Sequence, residues 1–129
     1  DPFVNMMGHI NGMTRDIALM RLLGPNPDAF HTWNSPSTEG LLAKIPAERI
    51  SHYHIDDAHP EIPRCQQTDP DRVMIGDGPI DLAAEIRVLR EIGYQGTISL
   101  ELFNAELWEK DPLEVAQSGR QRLETLLNE

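Results

Sequence analysis

The amino-acid sequence predicts an α/β fold built on parallel strands, and one that these residues do not complete. Three observations carry this expectation. Residues 49–55 and 97–102 have strand character, and a stretch of helical periodicity lies between them. Strands joined through a helix pair in parallel by a crossover connection. Two such strands neither close a barrel nor form a parallel sheet, whose strands need cover on both faces.

Taken in order, residues 1–13 (DPFVNMMGHINGM) have no clean period and read as a loop. Thr14 caps a helix to about Leu23, with Ile17, Met20 and Leu23 on one face and Gly24-Pro25 as the stop. A short helix is expected from Pro36 to Lys44, with Leu41 and Leu42 turned inward. The alternation in RISHYHI predicts a strand ending at about Ile55, followed by a long polar loop. Asp81 caps a helix with Leu82, Ile86, Leu89 and Ile92 at helical spacing, and Gly93 ends it. TISLELF predicts the second strand, over about Thr97–Leu102. Asp111, with Pro112 at the first helical position, starts a last helix carrying Val115, Leu123, Leu126 and Leu127.

Charge and composition exclude several functions. The chain has 21 acidic and 11 basic residues, a formal net charge of −10, and its lysines and arginines are scattered. Nucleic-acid binding draws most of its affinity from basic faces on phosphate, so nucleic acid is not an expected partner. An anionic membrane surface is disfavoured for the same reason, and no apolar run is long enough to span a bilayer. The single cysteine, Cys65, rules out an intrachain disulfide framework and a Cys-based zinc site. It fits a reducing, cytoplasmic setting.

Three segments place polar side chains at or just beyond strand ends. Asp28 and His31 lie in PDAFHTW, His52 and His54 in SHYHIDD before Asp56 and Asp57, and Glu101 in SLELF. A carboxylate in an otherwise apolar strand is costly to bury unless it is paired or bound to a metal. Each residue also has a structural alternative. His52 and His54 share one face of their strand, where a histidine commonly serves as a hydrogen-bonded structural group. Glu101 on an alternating strand could face water, and Asp28 after Pro27 could be a turn residue. The Gly-Asp-Gly of DPDRVMIGDGPID fits a tight surface turn, and Trp33 and Trp108 read as packing residues.

In sequence order, these segments resemble the last third of the sugar phosphate isomerase/epimerase family, whose fold is the xylose-isomerase-like TIM barrel. The resemblance runs from about Thr14 to Leu127 and is strongest in IPAERISHYHIDDA, DRVMIGDGPIDL and GYQGTISLELFNAELWEKDP. The histidine followed by Ile-Asp-Asp, with the Glu-Leu-Phe strand, is most similar to the inosose (keto-inositol) isomerase type. The resemblance implies that residues 1–129 form one partial barrel covering roughly strands six to eight and their helices. It also implies a divalent cation held by Asp28, His54 and Glu101, with His31 and Arg72 on the substrate. Oxygen-rich donors with one imidazole point to Mn²⁺ first, with Mg²⁺, Co²⁺ or Zn²⁺ also compatible.

The implied reaction is isomerisation or epimerisation of a sugar or polyol ketone through a metal-stabilised enediolate, with Glu101 both ligating and moving the proton. The family's strand-five glutamate has no counterpart here. GPNP also runs directly into DAFH, where several strand residues are expected before Asp28. The resemblance therefore implies that the intact site draws on further barrel segments or a partner chain, and a homo-oligomer is compatible with it. A dehydratase of keto-inositol or 3-dehydroshikimate on the same scaffold is the alternative chemistry, and a non-catalytic remnant or subunit the alternative class. The apurinic-site endonuclease of this fold holds a further zinc with Asp-Arg-His, where this chain has Asp71-Arg72-Val73.

Overall fold

The computed structural model describes residues 24–128. The loop expected over residues 1–13 and the helix expected over Thr14–Leu23 lie outside them. Three chain segments run side by side in parallel. The central one is β1 (Tyr53–Ile55), which pairs with β4 (Ile98–Leu100) in the register Tyr53↔Ile98, His54↔Ser99, Ile55↔Leu100. On the other side of β1 lies the extended segment 24–28. There Ser51 N donates to Pro25 O at 3.1 Å, His54 N donates to Pro27 O at 2.9 Å, and Asp28 bridges His54.

This arrangement bears on one expectation. Asp28 was read as lacking the apolar strand that normally precedes it; residues 24–27 form no regular strand, yet the segment runs alongside β1 and ends in a bridge from Asp28 to His54. Prolines 25 and 27 lack N–H groups, but their carbonyls face β1 and accept. Proline is compatible with this place because it need only accept from β1.

The two longer covering helices follow the sequence signals closely. Helix α1 (Ala29–Asn34) was not expected: Asp28, which could be read as a turn residue, caps it, and its side chain accepts from His31 N. Helix α2 (Leu82–Glu91) is capped by Asp81, which accepts from Ala84 N, and Gly93 follows it with φ +79°. Its buried face of Leu82, Ile86 and Leu89 joins Phe30, Tyr53 and Ile55 in the core. A four-residue helix, α3 (Ala105–Trp108), was not expected. Helix α4 (Pro112–Leu127) starts on Asp111, whose carboxylate accepts from Leu113 N and Glu114 N. Its Gly119 is buried, and a Cβ there would press on Leu100, so α4 packs close to β4.

Other expectations shift. The helix expected over Pro36–Lys44 is two 3₁₀ turns, Pro36–Thr38 and Leu42–Lys44, separated by Gly40 at φ +71°. Leu42 is buried and Leu41 only half-buried. The strand expected from residue 49 is shortened by a further turn, Ala47–Arg49. The strand expected over Thr97–Leu102 spans only Ile98–Leu100. The long loop after β1 contains a small antiparallel ladder of β2 (Asp57–Ala58) and β3 (Arg72–Val73). Trp33 packs against the core, with the Arg64 guanidinium over its ring. Trp108, in contrast, is 67% exposed.

Candidate metal centre

The three parallel segments end at one place, and each delivers one metal-competent side chain. Asp28 closes the extended segment, His54 lies in β1, and Glu101 follows β4. One ligand atom from each lies within 4.8 Å of the others. His54 Nδ1 is 3.1 Å from Glu101 Oε2 and 3.9 Å from Asp28 Oδ2. Asn26 lies two residues before Asp28, and its amide nitrogen is 3.4 Å from His54 Nε2. The same amide nitrogen is 3.5 Å from His54 Nδ1, so it lies against both ring nitrogens.

Arg72 closes the opposite side of this group. It is 2% exposed and stands between the Phe30 and Phe103 rings, 5.2 and 5.1 Å from their centroids. Its Nη1 donates to Asp28 Oδ2 at 2.8 Å, Asp56 Oδ2 at 2.7 Å and Glu101 Oε2 at 3.1 Å. Its Nη2 donates to Asp69 Oδ1 at 2.7 Å and lies 3.0 Å from His31 Nε2. Burial alone would lower the Arg72 pKa, but the carboxylates of Asp28 and Asp56 raise it, so the guanidinium stays charged.

Asp56 was noted in the sequence without a role. It is fully buried, and its other oxygen accepts from Phe30 N at 3.0 Å, tying β1 to the first turn of α1. Burial pushes its carboxyl up to about 8, with Asp28 adding to the rise and Arg72 opposing it. Asp57 has a separate structural task in the loop over residues 74–80. Its carboxylate accepts from the backbone N–H groups of Ala58, Gly76, Gly78 and Ile80.

Of the residues singled out from sequence, Asp28, His54 and Glu101 meet at one point, and Arg72 and His31 border it. His52 does not join them. Its Nε2 lies 2.6 Å from Ser99 Oγ, which ties β1 to β4, and its ring sets edge-on to His54. Sequence reasoning gave no role to Asn26, Asp56 or Asp69. Asn26 and Asp56 each stand two residues from a ligand candidate, and Asp69 three residues before Arg72. Without the fold, that proximity does not distinguish them from other polar loop residues.

The donor chemistry suits a divalent cation. Two carboxylates and one imidazole make an open, three-donor set, with the oxygens and Nδ1 facing one another.

Comparison with known proteins places the chain among barrels of one kind. A family model for xylose isomerase-like TIM barrels matches residues 7–126. Inosose isomerase of Bacillus velezensis is 34% identical over 101 residues, covering 78% of this chain and 36% of that protein. Inosose isomerase of Bacillus subtilis is 37% identical over 93 residues, covering 72% of this chain and 33% of that protein. Among solved structures, an IolI protein with a bound zinc atom superposes with a TM-score of 0.74 at 34% identity, over 81% of this chain and 37% of that one. A xylose isomerase domain protein of Alicyclobacillus acidocaldarius gives a TM-score of 0.70 at 30% identity, with the same coverage of each chain. The chain thus spans about a third of the length of the relatives it matches.

Proposed function

The chain belongs to the xylose isomerase-like TIM barrel family, and from that premise we propose that it supplies the last strands and most of the metal-binding side of a sugar or polyol isomerase or epimerase. The observation that carries this reading is the convergence of Asp28, His54 and Glu101 within 4.8 Å. The similarity to inosose isomerases supports a cyclic polyol ketone as the substrate class. Residues 1–129 serve as roughly strands six to eight of the barrel with their helices. The remaining strands, and a fourth ligand, come from further segments of the polypeptide or from a partner chain.

On this reading Asp28, His54 and Glu101 would hold the cation, which when bound would polarise the substrate carbonyl and make the adjacent C–H more acidic. Mn²⁺ is the first choice from the donor set, and zinc the ion carried by the solved IolI structure. Glu101 is the half-buried member, with a side chain 35% exposed, so it can accept the proton from that carbon and return it. Asp28 is almost fully buried and already accepts from His31 N, which suits a fixed ligand better than a mobile base. His31 offers an imidazole 38% exposed at the mouth of the site, positioned to bind substrate hydroxyls. Arg72 acts on the substrate through Nη2, because Nη1 is held among carboxylates on the buried side.

Native mass spectrometry of the wild-type chain and of Glu101→Gln, each after incubation with Mn²⁺ or Zn²⁺, tests the site. The expected result is about one divalent ion per wild-type chain and loss of that ion in the variant. Equal metal content in the two proteins would remove Glu101 from the ligand set and favour a non-catalytic role. With metal binding established, assay of the complete barrel on keto-polyols separates isomerisation from dehydration by the mass of the product.

A further inference from the structure

We propose that Arg72 is a built-in competitor of the divalent cation, so that metal affinity is set by an exchange between a guanidinium and the ion. The inference rests on the metal-site reading above. It comes from the identity of two atoms. The oxygens that face His54 Nδ1 are Asp28 Oδ2, at 3.9 Å, and Glu101 Oε2, at 3.1 Å. The same two oxygens accept from Arg72 Nη1, at 2.8 and 3.1 Å. A cation held by these three ligands therefore shares its oxygens with a positive group in direct contact with them.

Two like charges on shared oxygens repel across a short, water-poor distance, where screening is weak. The guanidinium also takes up acceptor capacity on each of these oxygens and so weakens them as donors to the ion. Release of these two oxygens leaves Arg72 with acceptors of its own. Asp56 Oδ2 at 2.7 Å and Asp69 Oδ1 at 2.7 Å are neither metal ligands nor shared with His54. The flanking Phe30 and Phe103 rings hold the guanidinium plane in place by cation–π contact. The structure shows Arg72 on all four carboxyl groups, and the exchange would leave it on Asp56 and Asp69 alone. The first arrangement keeps Asp28 and Glu101 from repelling each other before the ion arrives. The second frees them for it.

The test is isothermal titration of Zn²⁺ into the wild-type chain and into Arg72→Gln, with circular dichroism to compare their folds. Removal of the competing charge is expected to tighten Zn²⁺ binding at least about tenfold. An unchanged or weaker affinity in Arg72→Gln, with the wild type binding, overturns the proposal and leaves the metal site standing. Failure of both proteins to bind removes the site itself, and the competitor with it. A second measurement needs no variant and covers the case in which Arg72→Gln does not fold. In wild-type protein carrying ¹⁵N-arginine, the Arg72 Nη signals are expected to be resolved and slowly rotating without metal. On saturation with Zn²⁺ the Nη1 signal is expected to shift and its rotation to quicken, as two of its three acceptors leave. Nη signals that stay unchanged while Zn²⁺ binds would overturn the proposal.

Discussion

Substitution of Asp57 by Asn removes one oxygen from the most heavily used carboxylate in the structure while nearly preserving its shape. Asp57 is 1% exposed and makes four bonds to backbone N–H groups. Oδ1 accepts from Ala58 N at 2.9 Å and Ile80 N at 3.0 Å, and Oδ2 from Gly76 N at 3.2 Å and Gly78 N at 3.0 Å. In the amide, one of these oxygens becomes an NH₂ that faces two N–H donors, so two backbone amides lose their acceptor. A hydrogen bond to a charged group contributes about 1.5–3 kcal/mol, so two of them amount to about 3–6 kcal/mol. Relief of the buried charge returns part of this, which leaves about 3 kcal/mol as the expected loss. The loop cannot readily collapse around the change. A Cβ at Gly78 would collide with Ala58 O and the Asp57 carboxylate, so the backbone already lies against the side chain. Urea denaturation gives the stability difference, and amide hydrogen exchange gives its location, with faster exchange expected at Gly76, Gly78 and Ile80. A loss below about 1 kcal/mol, with protection at those amides unchanged, would refute the assignment of this loop to the Asp57 carboxylate.

Two further outcomes concern the neighbours of the site. His52→Ala is expected to leave divalent-ion stoichiometry unchanged and to lower stability by about 1 kcal/mol through its lost bond to Ser99; loss of the ion in this variant, read by native mass spectrometry, would make His52 part of the centre. The second outcome concerns pH. Because burial raises Asp56 to about 8, the folded chain keeps a proton that the unfolded carboxyl releases near ~4. This contribution to stability is therefore fully present below about pH 4 and is lost as pH rises through about 8. In the metal-free protein, Asp56→Asn is expected to flatten the fall in stability over that window by up to about 1.4 kcal/mol per pH unit. Superimposable urea midpoints against pH for the two proteins would assign the fall to other groups.

The elements legible in the sequence are those set by strong local chemistry. Asp81 and Asp111 each precede an amphipathic run, and both cap their helices through side-chain oxygens. The strand around Tyr53 shows its alternation plainly, since Tyr53 and Ile55 are wholly buried and His54 is not. What the sequence concealed depends on neighbours far along the chain. Residues 24–28 carry two prolines in five positions and have no strand signal, yet β1 holds them extended through its own N–H groups. The β2–β3 ladder joins two-residue pieces across a polar loop, too short for any period to register. The break at Gly40 is similar, because leucines 41 and 42 suggest a continuous helix while the positive φ of Gly40 ends the first turn.

The site divides along the same line. Its three ligand candidates stand at positions 28, 54 and 101; their places near strand ends drew attention to them, but each kept a structural alternative, and only the family resemblance joined them into a ligand set. Arg72 was conspicuous for another reason, its resemblance to a loop arginine that holds substrate, which says nothing of its burial. The fold buries it, because Asp28 and Asp56 offer two nearly inaccessible carboxylates on one side and two phenylalanine rings enclose it. Its exposed partners are on Nη2, where the Asp69 side chain is 52% exposed. On the proposed reading a substrate oxygen would replace Asp69 with little desolvation, whereas replacing Asp56 would strand a buried carboxyl. The two terminal nitrogens of Arg72 are therefore chemically unequal. On the proposed reading, Nη2 is the one a substrate reaches by displacing Asp69, and Nη1 the one whose acceptors hold the ion. A single arginine in this position would then couple the two ligands, since whatever draws the guanidinium toward Asp69 would also loosen its hold on Asp28 and Glu101.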